Sequence, residues 1–314
     1  MSYAQGSIIS ASDFNGIVSS NVANVNYAWS TGSNQWGYGQ TAVSTVPGGG
    51  LVAATNWASL QTALNAMIGH QGVGTALTAG TNFTAGSLIT YYANVIVANT
   101  SATTNHLTAA SQGTTTTGST YTDWAISYSG TNGTTDPGQS ATGTRTVTFA
   151  SADQARYFFN AGGQINVVVI SVASTGSRGS DLATLIGTNL KGIQIKALTT
   201  SYQGSGGTVN TNNTGLGYYN QTTSAQVVAQ VTSTNGSYYV YKTDTASLSV
   251  NTNGVKGSNS DNGTTMTIKW STSTGAMTGP QYDQSYTCTV SYRIDVVYPE
   301  TTYLSNSWGS VTIS

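Results

Sequence analysis

Histidine, cysteine and paired carboxylates carry most enzyme chemistry, and this chain of 314 residues contains few of them. Its two histidines, His70 and His106, lie on different segments, and no surrounding pattern predicts a zinc site or a Ser-His-Asp triad. The acidic residues are nine aspartates and Glu300, and most lie beside turns or helix caps, where a carboxylate serves the backbone. We therefore expect a noncatalytic protein that has no metal and no cofactor.

The single cysteine, Cys288, lies in a run of alternating side chains from Tyr286 to Tyr298. This period places Cys288 on the same face of a strand as Val290 and Ile294. We expect a buried thiol rather than a reactive one. One cysteine also excludes a framework of internal disulfides.

Two pairs of aromatic residues are the candidates for contacts with a partner or a glycan. Trp36 and Tyr38 lie among glycines in the loop Ser33–Gln40, and Tyr218 and Tyr219 are adjacent in the stretch TGLGYYNQTTS. Exposed rings at such positions could stack on a sugar. The alternative is that the rings pack into the protein, which aromatic side chains do more often. For Trp36 and Tyr38 the favoured interpretation is a loop that packs over the helices, and for Tyr218 and Tyr219 it is that they are ordinary strand residues.

The centre of the chain predicts a strand, a short helix and a second strand. Residues Thr144 to Phe149 alternate between polar and larger side chains, as a half-buried strand does. Ser151 and Gln154 have the spacing of a capping box, and the pair Gly162-Gly163 ends the helix. The Val-rich and Ile-rich residues from Gln164 to Ser171 then predict a buried strand.

The run SADQARYFFNAGGQI in this central stretch resembles a segment that recurs in virion structural and tail-fibre-like proteins of tailed bacteriophages. Two further stretches, SDLATLIGTNLKGIQI and TGLGYYNQTTS, are similar to the same family. The strings ISASDFNGIV and PETTYLSNSWGSVTIS match the ends of its members more loosely. The resemblance implies a place in the virion and brings no catalytic residues with it.

Charge is scarce: 6% of residues are charged, against about 25% in ordinary soluble domains. All nine basic residues lie from Arg145 onward, and no basic patch is dense enough to neutralise a phosphate backbone, so we expect no nucleic-acid binding.

The start of the chain lacks a secretory signal and no apolar run reaches about eighteen residues, so we expect synthesis in the host cytoplasm and no membrane insertion. A surface so poor in charge does little to oppose association, which predicts assembly with copies of the same chain.

We predict two domains, a helical N-terminal docking domain over residues 1–110 and a β-sandwich domain over residues 111–314. In the first, apolar residues recur at helical spacing over Phe14–Val25 and Trp57–Ile68, and Ser10 to Asp13 can form a capping box. The segment Ser87–Asn99 is apolar but β-branched, so it could form a helix or a strand, and we predict a third helix there. The segment Thr103–Thr120 is rich in Thr, Ser and Gly, which is typical of a linker or a surface loop.

The second domain is predicted to be mainly β. Short alternating runs separated by turns predict an antiparallel β-sandwich of jelly-roll type. The predicted strands are Val227–Val231, Tyr238–Tyr241, Met266–Trp270 and Tyr286–Tyr298. The predicted turns are Asn132-Gly133, Asn235-Gly236, Asn253-Gly254 and Asn262-Gly263. A short helix is predicted over Asp181–Ile186.

These features together predict a noncatalytic bacteriophage virion structural protein, tail-associated or fibre-associated, that assembles with other virion proteins through its N-terminal part. The alternatives are a receptor- or glycan-binding appendage that contacts a host cell-surface glycan, and a capsid decoration protein. A tail hydrolase would need clustered carboxylates, and the sequence pattern does not predict such a cluster.

Overall fold

The computed structural model describes residues 9–19, 21–77, 92–131, 135–233, 243–254, 263–277 and 285–314. Over these residues the chain is mainly β, with two antiparallel sheets that follow a helical N-terminal part. The predicted fold class, a β-sandwich preceded by helices, is confirmed.

The first helices are short because polar residues interrupt their apolar pattern. The helices described in the N-terminal part are α1 (Ala11–Val18), α2 (Val25–Trp29), α3 (Ala54–Gln71) and α4 (Tyr92–Thr104). The predicted capping box is confirmed, since Asp13 N–H donates to Ser10 Oγ at 3.2 Å and Ser10 N–H donates to the Asp13 carboxylate at 3.0 Å. The prediction of continuous helical spacing to Val25 was wrong, because α1 ends at Val18 and Val22 is exposed.

The helix α3 follows its predicted pattern. The predicted apolar residues all point into the core, and Gly72 ends the helix with a φ of 66°, which glycine adopts without steric cost. Its buried apolar residues include Trp57, Leu60, Leu64, Met67 and Ile68.

The third predicted helix is confirmed from Tyr92 to Asn99, and residues 87–91 lie outside the described ranges.

The prediction of a linker over Thr103–Thr120 was wrong for two parts of that segment. The helix α4 continues to Thr104, and Gln112–Thr116 forms an edge strand, β1. Threonine is a good strand former, and pairing with a long apolar strand outweighs the polar composition.

Twelve strands in the described part form two sheets of six. The first sheet contains β1, β2 (Tyr121–Ser129), β4 (Gln164–Thr175), β5 (Gly192–Ile195), β6 (Thr200–Tyr202) and β11 (Ser285–Pro299). The second contains β3 (Ser140–Phe149), β7 (Thr208–Asn212), β8 (Gln226–Thr232), β9 (Thr245–Thr252), β10 (Thr265–Ser273) and β12 (Val311–Ile313). In the first sheet β11 lies between β4 and the two edge strands β1 and β2, and β5 and β6 follow β4. The order in the second sheet is β12-β3-β10-β9-β8-β7.

The predicted strand, helix and strand at the centre of the chain are confirmed as β3, α5 (Ala152–Asn160) and β4, and they connect the second sheet to the first. Gln154 N–H donates to Ser151 Oγ at 3.1 Å, so the forward half of the predicted capping box forms. The reciprocal bond of the Gln154 side chain is not formed among the described residues. The helix buries Phe158 and Phe159 against Phe149 of β3.

A helix also lies where Asp181–Ile186 was predicted, but it is longer. The helix α6 covers Gly176–Thr184 and continues as a π-helical turn over Leu185–Leu190. Its buried leucines and Ile186 join the core, so the extra length is stabilised by packing that the local pattern does not show.

The longest strand, β11, confirms the predicted alternation from Tyr286 to Ile294, but the prediction was wrong beyond it, because Asp295, Val296 and Val297 are all buried. Tyr286, Cys288 and Tyr292 are buried, while Thr287 faces solvent. The predicted strands at residues 227–231 and 266–270 are also confirmed, as parts of β8 and β10. Asn253-Gly254 forms a bend after β9, whereas Asn132-Gly133, Asn235-Gly236, Asn262 and Tyr238–Tyr241 lie outside the described residues.

Candidate interaction surface

The histidine on α3, His70, is a buried packing residue. Its ring lies edge-on to Tyr38, with ring centroids 5.5 Å apart. Burial lowers the pKa of His70 to about 4, although the Glu300 carboxylate and the Ala161 carbonyl both favour the charged form. The imidazole is therefore neutral at neutral pH and enclosed by protein.

The second histidine, His106, is also explained by packing. It stacks on Trp36, and its Nδ1 lies 2.8 Å from the Thr103 carbonyl oxygen. Burial lowers the pKa of His106 as well. Within the ranges that the structure describes, no three His, Cys, Asp or Glu residues lie close enough together to hold a metal ion.

A buried ionic cluster links four separate segments of the sandwich. Arg178 on α6 donates to both carboxylate oxygens of Asp244, at 3.0 and 2.5 Å, to Asp136 at 2.7 Å and to the Gly275 carbonyl at 2.7 Å. Burial alone would lower the pKa of Arg178, but the hydrogen bonds and charge of Asp244 outweigh that effect and raise it. Arg178, Asp136 and Asp244 are all buried, so these three charged groups lie inside the described part of the chain rather than at its surface. Sequence reasoning missed it, since the three residues lie far apart in the chain.

The four aromatic candidates are not gathered into one surface. Tyr38 and Tyr218 are buried, so their rings do not lie at the surface where a partner or glycan would contact them. Tyr218 stacks on Phe159, with ring centroids 4.2 Å apart. Trp36 and Tyr219 are half-buried, and the Tyr219 hydroxyl donates to Asn160 Oδ1 at 2.7 Å. The loop of Trp36 and Tyr38 packs into the protein, as the favoured interpretation predicts, whereas the strand predicted for Tyr218 and Tyr219 was wrong, because Tyr218–Asn220 is a short 3₁₀ helix.

That loop connects the helical part with the sandwich. Gln40 exchanges two hydrogen bonds with the backbone of Ser305, at 2.9 and 2.8 Å. Asn160 at the end of α5 donates to the Gly37 carbonyl at 2.9 Å, and Arg156 donates to the Thr31 carbonyl at 3.0 Å. One apolar core runs through both parts of the chain. The domain boundary at residue 110 therefore stays a prediction.

The outer surface of the helical part carries exposed apolar side chains, as does the sandwich at Ile170 and Val209. Val22 and Val97 are 64% and 65% exposed, and Ile96 of α4 is also exposed. Asn99 Nδ2 donates to the Ala23 carbonyl at 3.2 Å, which holds α4 against the turn that carries Val22. We call Val22, Ile96 and Val97 the helical apolar surface.

The helical part has almost no charge around this surface. Its one charged residue is Asp13, and the Asp13 carboxylate is used in the cap of α1. Apolar exposure without neighbouring charge is unfavourable in a protein that stays alone in water. The helical apolar surface is therefore the strongest candidate for contact with another protein.

An open cleft of about 570 Å³ lies where β1, the end of β11 and the start of β12 meet. It is lined by Thr114, Glu300, Asn306, Trp308 and Ser310, among others. Glu300 accepts a hydrogen bond from Thr302 N–H at 2.8 Å. Among the described residues that line it, Glu300 is the one carboxylate, whereas hydrolysis of a glycosidic bond by paired acids uses two.

Comparisons with protein-family models, with curated proteins and with solved structures gave no match. Among the described helices, none has the length and apolar character needed to cross a membrane.

Proposed function

We propose that this chain is a noncatalytic structural protein of a bacteriophage virion, associated with the tail or its fibres, and that it docks on other virion proteins through its helical part. The observation that carries the proposal is the helical apolar surface, where Val22, Ile96 and Val97 are exposed on a part with a single charged residue. A partner that covers such a surface removes apolar area from water, and this stabilises the complex of the two proteins.

The low charge of the whole chain supports assembly with copies of itself. Neighbouring copies in a particle lie close together, and few like charges oppose that approach here. The resemblance of the central stretch to phage virion proteins supports the same role. The sandwich, with its turn-rich edges, suits the projecting part.

The proposal of a noncatalytic role is supported by what the described carboxylates bind. Asp136 and Asp244 form ion pairs with Arg178, Asp123 forms an ion pair with Arg145, and Asp295 forms an ion pair with Arg293. We expect no turnover in a screen of capsular polysaccharides and peptidoglycan. Cleavage that one Asp or Glu substitution abolishes would contradict this part of the proposal.

The docking role is tested with full-length variants that compete with wild-type chain during particle assembly. We expect Val97→Asp to reduce incorporation at least about tenfold, because it places a carboxylate in the covered surface. Val209→Asp is the matched control, since Val209 is also exposed but lies on β7 of the sandwich. Quantitative mass spectrometry of purified particles measures the ratio of variant to wild type. Equal incorporation of V97D and V209D would show that docking lies elsewhere.

A further inference from the structure

The open cleft beside the end of β11 has the size of a small-molecule site. Its volume is about 570 Å³, within the range of about 300–1,000 Å³ that such sites occupy. Its walls come from three segments: β1, the end of β11 and the turn that precedes β12. This turn belongs to the C-terminal run PETTYLSNSWGSVTIS, to which the proposed structural role gives no task.

The wall of the cleft contains an indole N–H that has no acceptor in the described part of the chain. Trp308 is 1% exposed and lines the cleft, yet no hydrogen bond joins its Nε1 to a described residue. The indoles of Trp29, Trp124 and Trp270 each donate to a protein oxygen, at 2.8, 2.8 and 3.0 Å. Because a buried indole N–H normally has an acceptor, the acceptor for Trp308 has to come from the cleft, as water or as a ligand.

The carboxylate of Glu300 has one oxygen available in the same cleft. Its Oε1 accepts from Thr302 N–H at 2.8 Å and from the Thr302 hydroxyl, and these bonds fix the side chain. Its Oε2 accepts no hydrogen bond from the described residues and forms no ion pair with a described Lys or Arg. Glu300 is also the one charged residue among the described residues of the lining, so the cleft is negative.

The other polar groups of the lining both donate and accept. Asn306 Oδ1 accepts from Gly309 N–H at 2.9 Å, which fixes the turn that carries Trp308 and leaves the Nδ2 donors of the amide without a partner in the described ranges. The hydroxyls of Thr114 and Ser310 also line the cleft, and both residues are exposed. A hydroxyl donates one hydrogen bond and accepts two. The lining therefore mixes a charged acceptor, N–H donors and hydroxyls.

We propose that this cleft binds a small neutral saccharide without cleaving it. Each sugar hydroxyl donates and accepts, so a saccharide matches a lining in which donors and acceptors are mixed. Glu300 Oε2 accepts from a sugar hydroxyl in a charge-assisted bond, and the Trp308 N–H donates to a sugar oxygen. The inference goes beyond the proposed structural role and does not depend on the helical apolar surface.

Other classes of small molecule match this lining less well. A ligand that carries phosphate or carboxylate meets the charge of Glu300, and no Lys or Arg among the described lining residues offsets it. An apolar ligand removes the Trp308 N–H and the Glu300 carboxylate from water without giving them partners, which costs binding free energy. A neutral ligand with several hydroxyls satisfies both groups.

The test follows the indole N–H signals of the full-length chain by proton–nitrogen correlation NMR. The chain has six tryptophans, and Trp308→Phe identifies the signal of Trp308 by its loss. The probes are maltose, cellobiose, lactose and diacetylchitobiose, with glucuronic acid as the anionic comparison. We expect a neutral probe to shift the Trp308 signal in a saturable way, while the other indole signals move less and glucuronic acid has no effect.

Two full-length variants test the groups that line the cleft. Glu300→Gln keeps the shape of the side chain and removes its charge, so we expect it to weaken binding of the same probe at least about tenfold. Ser310→Lys places a long side chain in the cleft and should abolish binding. The matched control is Thr287→Lys, because Thr287 is exposed but lies at the other end of β11, and its affinity for the probe should equal that of wild type.

The proposal is overturned if no neutral probe shifts the Trp308 signal at millimolar concentrations, or if glucuronic acid binds more tightly than they do. Equal affinities of S310K and T287K for the probe would place the saccharide outside the cleft. An E300Q protein that binds as tightly as wild type would show that the carboxylate is not a contact. Thermal unfolding of each variant distinguishes lost binding from lost folding.

Discussion

Trp36 stacks face to face on His106, with ring centroids 3.7 Å apart and ring planes inclined by 9°. The stack joins the glycine-rich loop after α2 to the segment that follows α4. It covers one face of the indole. The contact is therefore part of the fold of the helical region.

We predict that Trp36→Ala lowers the free energy of unfolding by about 2 kcal/mol, because it removes a half-buried ring and its stacking. His106→Phe keeps a flat ring in contact with the indole and should cost less than about 1 kcal/mol. Urea denaturation followed by circular dichroism measures both. A W36A protein as stable as wild type would show that the stack does not hold the loop.

The buried cluster around Arg178 predicts a large effect of a single substitution. Arg178→Ala leaves Asp136 and Asp244 buried without their counter-charge, which should cost about 3–5 kcal/mol. Arg145→Ala is the comparison, because its pair with Asp123 is partly exposed and should contribute about 1 kcal/mol or less. If both variants lose the same stability in urea, the Arg178 cluster is not the stronger pair.

His70 predicts a loss of stability in acid. Its pKa is about 4 in the folded chain, against the ordinary histidine value of 6.5 when the chain is unfolded, so the unfolded chain binds more protons between these values. The stabilisation is complete above pH 6.5 and is lost as the pH falls toward 4, with a total of about 3 kcal/mol. Glu300 is the charged group that faces His70, and it favours the protonated form.

The matched variant for this prediction is His70→Gln, which keeps a polar side chain and does not titrate. The difference in unfolding free energy between wild type and H70Q should fall between pH 7 and pH 4. This difference removes the contribution of the other acidic groups, which both proteins share. A difference that is constant across that range would contradict the burial and neutrality of His70.

The parts of the fold that sequence predicts well are those fixed by local patterns. The period of β11 places Cys288 in the core, where burial raises the pKa of its thiol to about 12, and the spacing of Ser10 and Asp13 predicts the cap of α1. Local patterns could not predict β1, because its threonines form a strand only when β11 lies beside them. The Arg178 cluster was missed for the same reason, since tertiary folding alone brings its carboxylates together.

The candidate surface was predicted only in outline. Scarce charge before Arg145 indicated a helical part that meets a partner, but the exposure of Val22 and Val97 depends on how α4 packs against the first helices. The aromatic candidates show the reverse case. Their composition suits a glycan contact, whereas Trp36 stacks on His106, Tyr218 stacks on Phe159 and Tyr38 meets His70 edge-on.

The most direct test of the central claim is a cryo-electron microscopy map of the phage particle whose genome encodes this chain. The proposal predicts density for the two-sheet sandwich at fixed positions on the tail or its fibres, with Val22 and Val97 covered by a neighbouring virion protein and the sandwich projecting. A map of the complete particle without this density, or with the helical part exposed and the sandwich at the contact, would contradict the account.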